Sequence, residues 1–226
     1  AIYQANRGLW SWADLHQAEM RVWAWQAQDD VMLKAFAEGS SPHITTFNYL
    51  FKGEKKVLPN GQPNHHYVDA KSYNFALLAD ASAETLARTT GQTIELAQKL
   101  KDEMYDLYPK TVAHQNRMRG HKGSYFYPEW VEDDYGRRAH IPDSPETTEQ
   151  HADHCRLNYP FQTTIASYIK RGMLGLAGLG MDFPIQVHDE VVADGDWPEK
   201  VWPSWLARLH PSIEIPFEVT QGRKWE

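Results

Sequence analysis

Residues 185–192 read Ile185-Gln186-Val187-His188-Asp189-Glu190-Val191-Val192. Two short runs rich in β-branched residues flank three polar ones, the pattern of a β-hairpin with His188, Asp189 and Glu190 at its turn. A second acid holds a comparable place near the start of the chain. Trp10-Ser11-Trp12-Ala13 alternates as a short strand does, and Asp14 falls where that strand would end. Taken singly, each aspartate reads as an ordinary turn or cap residue. Taken together, two carboxylates at strand ends suit phosphoryl transfer, which needs little covalent help and much charge neutralisation. Such a pair can hold two Mg²⁺ ions about 3.5–4 Å apart, one activating the attacking oxygen and one stabilising the leaving oxygen.

Outward from these strands, helical spacing recurs. Residues 17–28 and 30–38 read as helices, Gly39-Ser40-Ser41-Pro42 breaks the second, and residues 43–51 read as a third. Residues 53–63, with Pro59, Asn60, Gly61 and Pro63, form a loop. No Gly or Pro interrupts 65–83, where Tyr67, Lys71 and Phe75, with Leu78 beyond, line one helical face. Helices are expected over 82–89 and 93–108, the latter ended by Pro109, and a β excursion over 122–142. Residues 149–172 suggest one or two helices with a break near Pro160, and 213–225 a last strand centred on Ile215 to Val219. The sum is a compact mixed α/β body without repeats.

With 226 residues the chain can bury a real core, and its net charge of −7, taken alone, argues against a nucleic-acid partner, because phosphate binding is driven largely by Lys and Arg. Distribution qualifies that. Arg117, Arg119, Lys122, Arg137, Arg138, Lys170 and Arg171 gather positive charge, while acids collect at Asp194, Asp196 and Glu199 and within 143–149. Such segregation permits a basic channel on an acidic protein, and equally describes solvated surface charge. Cys155 is the only cysteine, so no internal disulfide forms. No apolar run approaches the roughly 20 residues of a membrane span, and no secretory signal opens the chain, so a cytosolic location without membrane contact is expected.

Other residues invite chemistry. Lys71, one turn from Tyr67 and from Phe75, would bind a triphosphate while a ring packs on a base or sugar; a surface Lys beside a core Phe is the plainer reading. His43, His65 and His66 carry ring N–H donors for phosphate. His151, His154 and Cys155 have helical spacing suited to zinc but lack a fourth ligand.

These segments, in this order, resemble the motifs of family A DNA polymerases, the family of bacterial DNA polymerase I. Ala13-Asp14-Leu15-His16-Gln17-Ala18-Glu19-Met20-Arg21 is similar to motif A, Lys71-Ser72-Tyr73-Asn74-Phe75 to motif B, and residues 186–192 to motif C. Phe36-Ala37-Glu38-Gly39 with His43, Gly136-Arg137-Arg138 through Pro142, Asn158-Tyr159-Pro160-Phe161-Gln162-Thr163 and Ile169-Lys170-Arg171 also resemble family segments. The resemblance implies an α/β (α+β) fold: a polymerase palm with an antiparallel sheet over 1–40 and 126–226, helical fingers over 41–125, and neither thumb nor exonuclease domain. It implies a DNA-directed DNA polymerase transferring a nucleotide from a dNTP to a primer 3′-hydroxyl with two Mg²⁺ ions. By the same resemblance Asp14, Asp189 and the Leu15 carbonyl hold the metals, and Glu190 supports the primer end. Lys71 binds the triphosphate and protonates the leaving pyrophosphate. His43 contacts phosphate, Phe75 packs on the sugar, and Glu19 excludes a ribose 2′-hydroxyl. His188, Asn158, Gln162, Arg137 and Arg138 contact primer-template DNA, and a second chain or an upstream segment is expected to supply thumb and exonuclease.

The sequence departs from the family in places. Tyr67 stands where the family has an Arg one turn before the motif B Lys, so Tyr67 joins the nucleotide-binding candidates without that Arg's charge; Ala79-Asp80 replaces a Tyr-Gly pair. Those departures recommend one alternative, a catalytically weak nucleic-acid-binding replisome subunit that keeps the fold. A two-metal nuclease would leave Lys71, Phe75 and Glu19 unexplained, and Glu19 with Glu190 leans away from a single-subunit RNA polymerase.

Overall fold

A computed structural model describes residues 8–119, 129–142, 144, 146–197 and 207–223, with the side chains of 183 and 184 outside the description. Two compact units emerge: residues 1–22, 132–139 and 160–226 form one, and residues 23–131 and 140–159 the other. These divisions fall at other points than the boundaries expected near residues 40 and 125.

The first unit is built on a four-stranded antiparallel sheet. Strands β1 (Trp10–Leu15), β4 (Asp182–Val187), β5 (Glu190–Asp194) and β6 (Phe217–Gly222) lie in the order β4-β5-β1-β6. Alternation sets the faces: Ala13 pairs with Val191 on one side and Val219 on the other, and Leu15 with Phe217. Ala13 and Ala193 join Leu176 and Trp197 in a buried cluster against which Met181, Leu209, Phe217 and Val219 pack. Leu176 comes from α8 (Glu149–Ala177), whose later turns belong to this unit and whose Tyr168 hydroxyl donates to the Ile215 carbonyl at 3.2 Å. The last strand starts later than the sequence suggests. Pro216 has no N–H for a ladder, and instead its carbonyl accepts from His16 N at 2.7 Å, so regular pairing begins at Phe217.

A short hairpin, β2 (Trp130–Glu132) and β3 (Arg138–His140), confirms the expected β excursion for the part described; residues 120–128, including Tyr125-Phe126-Tyr127, lie outside the described residues. Its turn is fastened to α8. Asp133 Oδ1 accepts from Tyr135 N and Arg137 N at 2.9 and 2.8 Å, its Oδ2 accepts from Ser167 at 2.7 Å, and Thr164 accepts from Asp134 N at 3.0 Å. The Arg171 guanidinium lies 4.4 Å from the Tyr135 ring centroid.

Helices dominate the second unit: α2 (Asp30–Ala37), α3 (Pro42–Leu50), α4 (His65–Leu78), α5 (Ala83–Thr90), α6 (Ile94–Leu107) and α7 (Pro109–Met118), besides the later part of α1 (Ala18–Ala27) and the earlier part of α8. Their starts are written in the sequence: Ser41, Asn64, Ser82 and Thr93 each accept a backbone N–H from the first turn of the helix they precede. Gly91 ends α5 at φ 70°, a left-handed cap that suits a residue without Cβ. Asp29 serves two helices. Its Oδ1 caps α2 through Val31 N and Met32 N, both at 3.2 Å, while its Oδ2 accepts from Thr111 N and Oγ1 of α7 at 3.0 and 2.9 Å. Trp23, wholly buried, donates its indole N–H to the same Thr111 hydroxyl at 3.3 Å.

The helix begun at His65 stops at Leu78, where Asp80 turns to φ 51° and releases the chain into the Ser82 cap. α6 ends before Pro109 as expected, and the same proline opens α7, where a missing N–H costs nothing. One reading differs: α8 runs unbroken through Pro160. Arg156, Leu157 and Asn158 on one side and Phe161, Thr164 and Ile165 on the other are buried, so packing on both flanks offsets the one hydrogen bond proline removes.

Replacing Asp29 with Ala would strand four donors at the junction of α2 and α7. We expect a loss of about 3 kcal/mol, a fall in Tm of roughly 6–12 °C by thermal denaturation, with Asp29→Asn losing less. His114, packed edge-on to Trp23 with ring centroids 5.2 Å apart, is held at a pKa of about 4 by burial and then by the Arg117 charge. A histidine depressed in the folded state stabilises fully above its unfolded pKa near 6.5 and loses that contribution as pH falls toward 4. Between pH 7 and 5 it should therefore cost about 2 kcal/mol, and His114→Gln should remove that part of the acid sensitivity in denaturant titrations.

Candidate active site

Cross-strand register brings the sequence's two acidic strand ends together. Asp14 on β1 pairs with Glu190 on β5 and, on its other side, with Glu218 on β6. Residues directly opposite in antiparallel strands share a face, so three carboxylates form one row across the sheet, with Asp189 beside them at the β4–β5 turn. Ala13 and Leu15, the neighbours of Asp14, are buried against the helix side, which leaves Asp14 exposed on the other. Asp189 and Glu190 are half-buried; Asp189 also edges a small cavity lined by Leu15, Tyr168, Met173 and Phe217.

Electrostatics record the crowding. The Asp14 carboxyl is pushed above the ordinary carboxylate range, first by desolvation, then by the charges of Asp189 and Glu190; Glu218 adds to the rise and His16 opposes it. His16 Nε2 sits 3.5 Å from a Glu218 oxygen. Glu19, in the first turn of α1, is raised by desolvation and then by Asp189, with His188 opposing. Asp189 thus acts on both Asp14 and Glu19. Backbone geometry aims these groups at some cost: Gln17, between Asp14 and Glu19, and His188, before Asp189, take left-handed φ values of 53° and 51°. Non-glycine residues in that region cost of order 1 kcal/mol or more each and persist where surrounding structure holds them. Here His16 N is tied to Pro216 O, Arg21 Nε donates to His16 O at 3.0 Å, and Gln186 Nε2 donates to His188 O at 3.0 Å.

Hard oxygen donors with excess negative charge fit a divalent cation. Among the described residues no group of three or more His, Cys, Asp or Glu side chains is gathered as a cage. A carboxylate pair without a cage matches Mg²⁺, which takes one or two protein carboxylates and leaves the remaining positions to substrate oxygens and water. His151, whose Nε2 lies 3.7 Å from Cys155 Sγ, belongs to no such group either.

In the second unit, α4 carries Tyr67, Lys71 and Phe75 on one face, with Lys71 and Phe75 exposed. His43, at the start of α3, lies with its ring centroid 5.6 Å from that of Phe75. A buried polar chain fixes it. Asn74 Nδ2 donates to the Ala70 carbonyl and to His43 Nδ1, both at 3.0 Å; Asn74 Oδ1 accepts from Thr46 at 2.9 Å; and the Tyr108 hydroxyl lies 2.8 Å from Thr46. Burial, and then the Lys71 charge, lowers the His43 pKa to about 4, so the imidazole is neutral near pH 7. With Nδ1 accepting from Asn74, its one proton sits on Nε2 as a donor. Lys71 Nζ lies 5.2 Å from the Tyr67 ring centroid.

Remaining candidates spread along α8 and the β2–β3 hairpin. Asn158 is buried and donates to the His154 carbonyl at 2.8 Å, whereas Gln162 is exposed one turn on. Arg137 and Arg138 are exposed, Arg138 lying 3.4 Å from Glu132. The sequence reading missed Asn74 and Glu218. Asn74 was visible only as a helical polar residue, and its partner lies 31 positions away; Glu218 could be found only once β6 was paired with β1.

The sequence matches the family described as DNA polymerase family A over residues 1–225. Among relatives, DNA polymerase I of Pseudomonas aeruginosa is 30% identical over 191 residues, covering 80% of this chain and 20% of that protein. Thermostable DNA polymerase I of Thermus aquaticus is 28% identical over 227 residues, covering 92% and 26%, and a DNA polymerase of Mycobacterium phage D29 is 26% identical over 182, covering 80% and 28%. The chain thus spans about a quarter of the length of these relatives. Among solved structures, the POL domain of Pol1 from M. smegmatis, in complex with DNA primer-template and dNTP, superposes with a TM-score of 0.80 at 22% identity, covering 99% of this chain and 41% of that one, and shows the same fold. Motif order, strand register and family match agree: the chain belongs to DNA polymerase family A.

Proposed function

We propose that the chain is the nucleotidyl-transfer core of a DNA-directed DNA polymerase, joining a dNTP to a primer 3′-hydroxyl on a DNA template. The observation that carries this reading is the β1–β5 register, which sets Asp14 of motif A opposite Glu190 of motif C, beside the turn that holds Asp189. Under this reading the first unit is the palm and the helical unit the fingers.

Asp14, Asp189 and the Leu15 carbonyl would hold two Mg²⁺ ions, which supply activation of the attacking hydroxyl and stabilisation of the leaving oxygen. Everything else falls to the chain. Lys71 places a cation against the triphosphate and donates a proton as pyrophosphate leaves. Neutral His43 donates its Nε2–H to a phosphate oxygen, adding a directed hydrogen bond that does not depend on its being charged. The exposed Phe75 ring packs on the sugar, and Glu19 fills the space a ribose 2′-hydroxyl would need. Glu190 orients the primer end. Arg137, Arg138, Gln162 and His188 meet the DNA, whose minor-groove readout is largely insensitive to sequence, as copying requires.

Extension of a labelled primer tests the reading. Asp189→Ala should lose at least about 10³-fold in kcat; equal extension by that variant contradicts the assignment. Asp14→Asn should be as inactive and yet raise Tm by about 1–2 °C near pH 8, because removing one of several like charges relieves repulsion worth a few tenths of a kcal/mol. The sign follows from the raised pKa: the charged form is the disfavoured one in the folded state, so the stability gain shrinks as pH falls through the carboxylate range.

Lys71→Ala should lower kcat/KM for the dNTP by about 10–100-fold. The pH profile of activity adds a test of His43. His43, already neutral, should add no inflection near 6.5; an inflection there that vanishes in His43→Gln contradicts its assigned protonation.

A further inference from the structure

The loop before α4 brings a cation to the ring of Tyr67 on the α4 face. Lys56 Nζ lies 4.7 Å from the Tyr67 ring centroid, and Lys71 Nζ lies 5.2 Å from the same centroid. One aromatic ring therefore has two exposed ammonium groups at it. Like charges gathered at one ring repel each other unless an anion joins them, and at an exposed site a ring's face offsets only part of that repulsion. Among the described residues neither ammonium is paired with a carboxylate. The nearest acid in the loop, Glu54, is occupied by His66 Nδ1 and by Asn64 Nδ2, each at 2.9 Å.

The placement of Lys56 is held by backbone contacts. Asn64, buried and capping α4 through His66 N, donates its own N–H to the Lys56 carbonyl at 2.8 Å and its Nδ2 to the Lys55 carbonyl at 3.0 Å. Beyond Lys56 the loop closes on itself through the Val57–Pro63 bridge and Leu58 N to Gln62 O at 2.9 Å. The residue that starts α4 thus fastens Lys56 beside the first turn of the same helix.

We propose that Lys56 is a second phosphate-binding cation of the nucleotide site, engaging the triphosphate tail of the incoming dNTP together with Lys71 and doing so from a loop rather than from the helix face. This rests on the reading of the α4 face as the nucleotide site. Phosphate oxygens of the template strand offer the same chemistry, and the measurements separate the two sources.

The test is steady-state primer extension by the protein and its Lys56→Ala, Lys56→Arg and Lys52→Ala variants, at low and high salt, with primer-template affinity measured in parallel. Lys52 lies at a different ring, 5.4 Å from the centroid of Tyr49, and serves as the control. We expect Lys56→Ala to raise KM for dNTP by about 5-fold or more at low salt with kcat within about 2-fold, and the gap to narrow as salt screens the contact. Lys56→Arg should retain most of the affinity and Lys52→Ala all of it. An unchanged KM, or a defect confined to primer-template affinity, overturns the proposal while leaving the polymerase reading intact. Should the unaltered protein extend no primer, the polymerase reading falls, and calorimetric titration of Mg²⁺–dATP decides for Lys56. Weaker binding to Lys56→Ala by a similar factor supports it; equal binding, or none to either protein, refutes it.

Discussion

Asp14 stands between Glu190 and Glu218 in one row of an antiparallel sheet, and Asp189 turns back beside it. Like charges set opposite one another weaken a sheet, and among the described residues no packing contact of the first unit requires them there. Its core lies on the other face, where Ala13, Leu176, Ala193 and Trp197 pack. The raised carboxyls of Asp14 and Glu19 are the cost of this arrangement, and under the proposed reading a divalent cation would relieve it. Left-handed backbone at Gln17 and His188 belongs to the same account, because both turns point acids where a regular strand or helix would not.

The helical unit treats charge in the opposite way. Where the sheet concentrates anions, α4 and its approach loop present ammonium groups at a ring, and His43 is kept uncharged by burial and then by the Lys71 charge. A neutral donor beside cations binds a polyanion through a directed hydrogen bond without adding to the repulsion among the positive groups. Under the proposed reading each unit supplies what nucleotidyl transfer needs of it: carboxylates that hold cations in the first, and anion-binding groups in the second.

Much of this was legible in the chain. The hairpin around His188-Asp189 and the strand ending near Asp14 declared themselves by alternation, because a strand with one buried face must alternate. The face of Tyr67, Lys71 and Phe75 did so by helical spacing. What sequence alone withheld was long-range. No local pattern says that β6 pairs with β1 and delivers Glu218, or that Asn74 reaches His43. Pro160 misled for a local reason, since a proline's effect depends on how well its flanks are packed, whereas Pro109 both follows the end of α6 and opens α7. Asp80 shows the reverse, an acidic residue taking a left-handed conformation in place of the family's glycine, stabilised by an ion pair with Arg119 and a hydrogen bond from Tyr105.

The central claim is that the carboxylates of residues 14 and 189 press on each other in the metal-free protein and share the cations that relieve them. Carboxyl-carbon NMR titration of Asp14 in the unaltered protein and in Asp189→Asn, without and with Mg²⁺, measures this directly. The account predicts that Asp14 titrates above the ordinary aspartate range in the unaltered protein, and that its pKa falls when residue 189 loses its charge and falls again when Mg²⁺ is added. An Asp14 titration indifferent both to residue 189 and to Mg²⁺ would show that the two groups do not form one site.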